Sequence, residues 1–232
     1  MDAIIEYAPL LWQGLLTTLL VTVLGGALCL VVAFAAGLAR LSRHWILRWP
    51  AGVFIEVFRG TSLLVQMFWL FFALPFFGIQ LHPLTAAVLA LGLNEGAYAA
   101  EVVRGAIASR AKGQTEACIA LGMEPALRLR RIIIPQSIPA MLPPFGNVMV
   151  DLLKNTSLVS LVTVADLTFS AQMIRSTTGQ TTAIFITILV MYFALSYLLT
   201  LLTSWLEKRF ALDRKALTLQ KKENTLMKVG AA

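Results

Sequence analysis

The chain has 232 residues and a net charge of +7, with 58% of residues hydrophobic and only 13% charged, where a soluble domain carries about a quarter charged. Uncharged runs extend from Ala8 to Ala39, Gly60 to Asn94 and Ser176 to Leu206, each longer than the roughly 20 apolar residues that cross a hydrocarbon core. These features exclude a soluble enzyme and a nucleic-acid-binding domain and predict an all-α integral membrane protein with a single transmembrane domain.

Hydropathy gives the elements in chain order. The first span covers about Leu10–Ala39. Ala33-Phe34-Ala35 resembles a signal-cleavage site, but a secretion signal places positive charge before a short apolar stretch. Here Asp2 and Glu6 precede a much longer run, so a permanent helix is expected. The second span covers about Thr61–Leu81, the third about Pro83–Val103, the fourth about Pro135–Val164 and the fifth about Thr181–Leu206. An interruption of the fourth is expected near Asn155-Thr156-Ser157. Lys and Arg collect on the cytoplasmic side of membrane helices. Sixteen of the nineteen lie after span one (Arg40, Arg43, Arg48), between spans three and four, or after span five. The N-terminus is therefore placed outside and the C-terminus inside, which agrees with an odd number of crossings. Residues 1–9 become an extracytoplasmic N-terminus, 10–210 the transmembrane domain, and 211–232 a basic cytoplasmic tail, expected to be disordered from Lys221 onward. Cys29 and Cys118 read as small buried residues, with neither a disulfide nor a metal site. The two histidines, His44 and His82, fall on opposite sides of the membrane and assemble no catalytic group.

Between spans three and four, residues 110–135 read as two short helices. Gln114–Leu121 is helix-compatible, and Gly122 ends it with a positive φ. Pro125 opens a second helix behind Glu124. Arg128, Arg130 and Arg131 crowd the end of that helix, where cations suit the macrodipole, and Pro135 marks the return to the membrane. Such a projection fits a cleft on another protein or serves as an ordinary amphipathic loop.

Charged groups at membrane depth are costly and usually functional. Glu56, Arg59 and Gln66 fall on one face at the start of the second span. Asn94, Tyr98 and Glu101 recur at i, i+4 and i+7 in the third, and Asn147, Asp151 and Lys154 do the same in the fourth, beside Asn155 and Ser157. Glu56–Arg59, Glu101–Arg104 and Asp151–Lys154 are acid–base pairs at i, i+3. The first two read as self-neutralising pairs near the headgroups. The third precedes the expected helix break and reads as part of a polar route through the membrane. Glu95, inside the third apolar run, must be protonated, paired or hydrated, with Lys154 and Arg59 as candidate partners. No Gly-x-x-x-x-Gly-Lys-Ser/Thr phosphate loop is present, so ATP-driven transport requires a nucleotide site on another polypeptide. Five helices are also few to enclose a path without a second subunit.

The loop sequence Gly113-Gln114-Thr115-Glu116-Ala117-Cys118-Ile119-Ala120-Leu121-Gly122, followed by Ile132 and Pro135, resembles the EAA loop of permease subunits of ATP-binding-cassette importers. Glu116, Ala117, Gly122, Ile132 and Pro135 fall on the pattern's positions, Cys118 replaces its second Ala, and Ile134 replaces its Leu. Glu56 to Gln66, Asn94 to Gly105 and Leu153 to Leu158 resemble the polar-amino-acid branch, the histidine/glutamine/arginine type. That branch usually has Pro where Ser62 stands, a change expected to relax the turn into the second helix, and often has a small residue in place of Glu95.

The resemblance implies a type I importer fold of five transmembrane helices per subunit, paired with a second permease subunit (an identical copy or a related chain). It implies cytoplasmic ATPase subunits holding ATP and magnesium, so that this chain binds no cofactor of its own, and an extracytoplasmic solute-binding protein, in the inner membrane of a bacterial cell. It also implies that the loop docks into the ATPase, and that the cargo is a polar amino acid or similar zwitterion, with ectoine or hydroxyectoine as a variant. Two other readings are an ATP-independent secondary transporter or channel, which an inverted repeat would favour, and a membrane enzyme. No repeat and no catalytic cluster is visible in the sequence.

Overall fold

The computed structural model describes residues 6–210, and every regular element there is helical. The expected basic tail at 211–232 and the first five residues lie outside the described residues. Helix α1 (Ala8–Arg40) and helix α4 (Pro83–Ala108) form the central pair. They run parallel: Leu28 packs on Gly92, Val32 on Gly96, and Gly37 on Ala100 and Val103. Small residues let membrane helices approach closely. A β-carbon on Gly37 would stand 2.7 Å from the Ala100 carbonyl oxygen, which is backbone and has no rotamer with which to withdraw.

Helix α2 (Trp45–Gly60) departs from expectation, since the sequence placed only a connection before Thr61. Arg48, Glu56 and Arg59 dilute its hydropathy, yet Ala51, Gly52 and Ile55 form a buried stripe. Such a stripe is what drives an amphipathic helix to pack. Helix α3 (Leu63–Phe68) continues through a π turn (Trp69–Ala73) and a 3-10 turn (Leu74–Phe77), and meets α2 at 105°.

Past α4 come α5 (Lys112–Ala120) and α6 (Pro125–Arg128). The second short helix does not end at its arginines as expected. It runs through a π turn (Leu129–Ile133) into α7 (Ile134–Asn155), so no helix terminus stands there for the cations to offset. Pro135 lies inside this continuous run, just after the π turn, and has no N–H to return to the preceding turn. The interruption expected at Asn155-Thr156-Ser157 is a change of winding rather than a break. The chain continues as a 3-10 helix over Thr156–Val162, and the turn comes at Thr163 (φ +64°). Helix α8 (Leu167–Thr178) starts there, capped by Asp166, whose carboxylate accepts from the Phe169 and Thr168 amides at 2.9 and 3.1 Å. Helix α9 (Thr181–Phe210) closes the described chain.

Three helices, α1, α4 and α9, are long and apolar enough to cross a membrane alone; counting each bent pair as one span gives five. Fourteen of the 26 residues of α4 are buried inside the subunit against two of the 30 of α9, so α4 is the core helix and α9 faces outward.

Candidate functional site

Helix α2 stops at the bend, which leaves its last four carbonyls without intrahelical donors. Three of them are supplied by side chains. Thr61 Oγ1 donates to the Val57 carbonyl at 2.7 Å, Gln66 Nε2 and Asn94 Nδ2 both donate to Phe58 at 2.9 Å, and Tyr98 Oη donates to Arg59 at 3.3 Å. Asn94 also donates to Gln66 Oε1 at 3.1 Å, which fixes the two amides against each other. No buried side-chain nitrogen or oxygen among the described residues lacks a partner.

This capped bend forms one wall of a cleft of about 420 Å3, with α4 and the end of α7 as the others. Glu95 lies twelve residues after Pro83 and thirteen before Ala108, about 18–20 Å from either end of α4 at 1.5 Å per residue, so the cleft sits at half depth. Glu95 is buried and accepts from Asn155 Nδ2 at 2.8 Å; of the two candidate partners, neither Lys154 nor Arg59 forms an ion pair with it. Lys154 turns to Asp151 at 3.5 Å, and both side chains are more than half exposed on the cleft.

Of the expected path residues, Asn94, Glu95, Tyr98, Asp151, Lys154 and Asn155 line this cleft. Glu56, Arg59 and Gln66 do not share a face, because the 105° bend separates the first two from the third. Glu56 is exposed and forms no ion pair with Arg59, whose guanidinium lies 5.3 Å from the Tyr98 ring centroid. Glu101 pairs with Arg104 at 2.7 Å, nearer the end of α4. Asn147 is exposed and outside the lining, and Ser157 donates to the Lys154 carbonyl at 2.9 Å. Thr61, Ser62 and Val148 line the cleft without having been expected there; the Gly60-Thr61-Ser62 sequence, rich in turn-formers, was the available signal. Ser62 sits at φ −70°, within the range proline imposes, so its replacement of the usual Pro does not relax the turn.

The loop forms a second feature. The Gly122 amide donates to the Ile119 carbonyl at 2.9 Å and the Met123 amide to Cys118 at 3.0 Å, with Gly122 at φ +70°. This is the Schellman pairing that stops a helix. Cys118 is buried and Ile132 partly so, while Glu116, Ala117 and Pro135 are exposed. Arg110 Nη1 donates to the Gln136 carbonyl at 3.1 Å, tying the two strands of the loop at its base. Ile119 and Leu121 stand 59% and 79% exposed on a polar projection, the kind of apolar tip that marks a protein contact.

Residues 30–212 match the family described as binding-protein-dependent transport system inner membrane component. The chain belongs to that family. It is 46% identical over 181 residues, 75% of each chain, to a probable amino-acid ABC transporter permease protein, y4tF, of Sinorhizobium fredii. It is 40% identical to the glutamine transport system permease protein GlnP of Escherichia coli, over 90% of this chain and 96% of that one. A solved structure titled as an amino acid ABC transporter with histidines superposes with a TM-score of 0.83 at 36% identity, over 89% of this chain and 96% of the other.

The protein is thus a permease subunit of an ATP-binding-cassette importer, an inner-membrane component with the type I fold. It is not an enzyme: in this family ATP hydrolysis belongs to a separate ATPase subunit, and the permease has no cofactor of its own. Membership brings an ATPase partner, and usually a second permease and a binding protein.

Proposed function

We propose that this permease carries a polar amino acid or a similar zwitterion through the half-depth cleft, inward across the membrane, with N-terminus outside and C-terminus inside. The observation that supports this is the placing of two carboxylates and an amine, Glu95, Asp151 and Lys154, on one cleft at the middle of α4. Groups of both signs suit a solute that carries both, and charge at this depth is retained only for function. The similarity to relatives named for glutamine and L-cystine supports an amino acid over the ectoine-type variant.

One side of the cleft is open and is closed by a second permease subunit, identical or related. The loop at Glu116, Ala117, Cys118 and Gly122, with Ile132 and Pro135 at its return, docks into the ATPase that holds ATP and magnesium. An extracytoplasmic binding protein delivers the solute. Docking drives transport only if its energy differs between inward-open and outward-open states.

Reconstitution in proteoliposomes with the ATPase and binding protein tests the reading. Lys154→Ala is expected to reduce uptake by roughly tenfold or more while the ATPase stays bound. Unchanged uptake, or loss of assembly instead, counts against a role in the path. Glu116→Lys is expected to abolish coupled ATP hydrolysis with membrane insertion intact. Screening the binding protein against polar amino acids and ectoine assigns the cargo.

A further inference from the structure

Three charged side chains line the half-depth cleft, and their charges do not cancel: Glu95 and Asp151 are acids, and Lys154 is the base. Neighbouring charged residues lie outside the lining and leave that count as it is. Glu101 is closed by Arg104 at 2.7 Å, Glu56 is exposed, and the Arg59 guanidinium stands over the Tyr98 ring. A second permease subunit of identical sequence would double the imbalance rather than remove it.

The two acids differ in what they lack. Asp151 shares an exposed ion pair with Lys154 at 3.5 Å, and such a pair costs little to open. Glu95 is only 5% exposed. Its Oε1 accepts from Asn155 at 2.8 Å, while Oε2 accepts no hydrogen bond among the described residues. No buried side-chain oxygen there lacks a partner, so Oε2 is the open part of the residue, and it opens on the cleft that Glu95 lines. A carboxylate so enclosed at this depth needs a donor. A neutral amide would leave the charge in place, whereas a cation offsets it and bonds about twice as strongly.

The spacing fits one cargo molecule. Asn155 lies four residues beyond Asp151, about 6 Å along α7, and Glu95 is bonded to its side chain. Glu95 is therefore about one helical turn away from the Asp151–Lys154 pair. An amino acid can set its ammonium on Asp151 and its carboxylate on Lys154, and then reaches Glu95 only with the end of its side chain. We infer that the cargo is an amino acid with a cationic side chain of the length of lysine, ornithine or arginine, and that Glu95 selects it by taking that cation. This rests on the reading of the cleft as the path of a zwitterion.

Direct binding to the permease–ATPase complex in lipid nanodiscs, without the binding protein and its own selectivity, tests the inference. The probes are L-arginine and L-citrulline, which share a shape but differ in that a neutral ureido group replaces the guanidinium. Arginine is expected to bind about tenfold or more tightly, the effect of one charge-assisted bond. This ratio is read on the wild type and needs no variant to fold. Glu95→Gln keeps an oxygen for Asn155 and is expected to bring arginine down to the citrulline level. Lys154→Ala is expected to weaken both alike, since both carry the carboxylate. Equal wild-type binding of the two, or an arginine preference that survives in Glu95→Gln, would overturn the role of Glu95 and leave the zwitterion reading standing. Binding of neither to the wild type would overturn that reading, and this inference with it.

Discussion

Gly122 offers a test in which the subunit's own structure and its docking can be separated. Its φ of +70° is a conformation that costs a residue with a β-carbon roughly 1–2 kcal/mol. No atom lies within 4 Å of where that carbon would be, and Gly122 is exposed, so in the isolated permease the backbone term dominates the cost and a larger side chain has open solvent to turn into. Gly122→Ala and Gly122→Trp should therefore loosen the end of α5 equally. The amides of Gly122 and Met123, bonded to Ile119 and Cys118, should exchange with solvent about 5–30-fold faster, read by hydrogen–deuterium exchange on a peptide spanning 112–128. Gly122→Asn should lie between Gly and Ala, because Asn tolerates the left-handed region. Uptake then divides the two variants. If the loop is gripped by an ATPase, Trp adds a clash that Ala does not, and coupled transport should fall much further in Gly122→Trp. Equal uptake in the two would show that this face of the loop meets nothing. Unchanged exchange in Gly122→Ala would refute the backbone account itself.

Gln66→Leu and Asn94→Leu should each lower the thermal stability of the purified permease by the equivalent of about 0.5–1.5 kcal/mol, because each removes one of the two donors to the part-buried Phe58 carbonyl and leaves the other in place; wild-type melting would show that water replaces them. Ser62→Pro should be tolerated and gain about 0.4–1 kcal/mol by restricting the unfolded chain, since Ser62 has φ −70°, Thr61 before it is extended at φ −118°, and the Ser62 amide donates no backbone bond; a fall in melting temperature would count against the bend as described. Gly37→Val should block folding by driving a branched side chain into the Ala100 backbone, detected as loss of the monodisperse protein on size exclusion.

Sequence reasoning succeeded where a single property dominates a segment and failed where two compete. The apolar runs of α1, α4 and α9 need no context, because hydrocarbon tolerates little else over that length. Gly122 and Pro125 likewise mark their helix ends by local backbone chemistry. Helix α2 escaped notice because Arg48, Glu56 and Arg59 lower its mean hydropathy, while its buried stripe is only three residues. Helix α8 is twelve residues with Thr168, Ser170, Gln172 and Arg175 within it; its signals were Asp166 at the N-cap and Gly179 just past the end. The stripe of Glu56, Arg59 and Gln66 assumed a straight helix. The bend at Gly60–Ser62 is a tertiary fact, since the carbonyls it frees are satisfied from α4, 36 and 39 residues away in sequence.

That bend also changes how the polar residues of α4 are to be understood. Asn94 and Tyr98 line the cleft and at the same time cap α2, so an alanine at either position removes a cleft group and uncaps a helix together. A loss of uptake in those variants cannot by itself be assigned to the cargo. Asp151 and Lys154 are different: among the described residues their side chains pair only with each other, at 3.5 Å on an open surface, and a pair so exposed adds little to stability. Between these extremes stands Glu95, whose bond from Asn155 joins the core helix to the end of α7. Movement of α7 relative to α4 has to stretch or break this link. The continuous helical run begins at Pro125, while Glu116 sits on α5 before the Gly122 turn; if the loop docks as proposed, its displacement reaches Glu95 through that turn and then along α7.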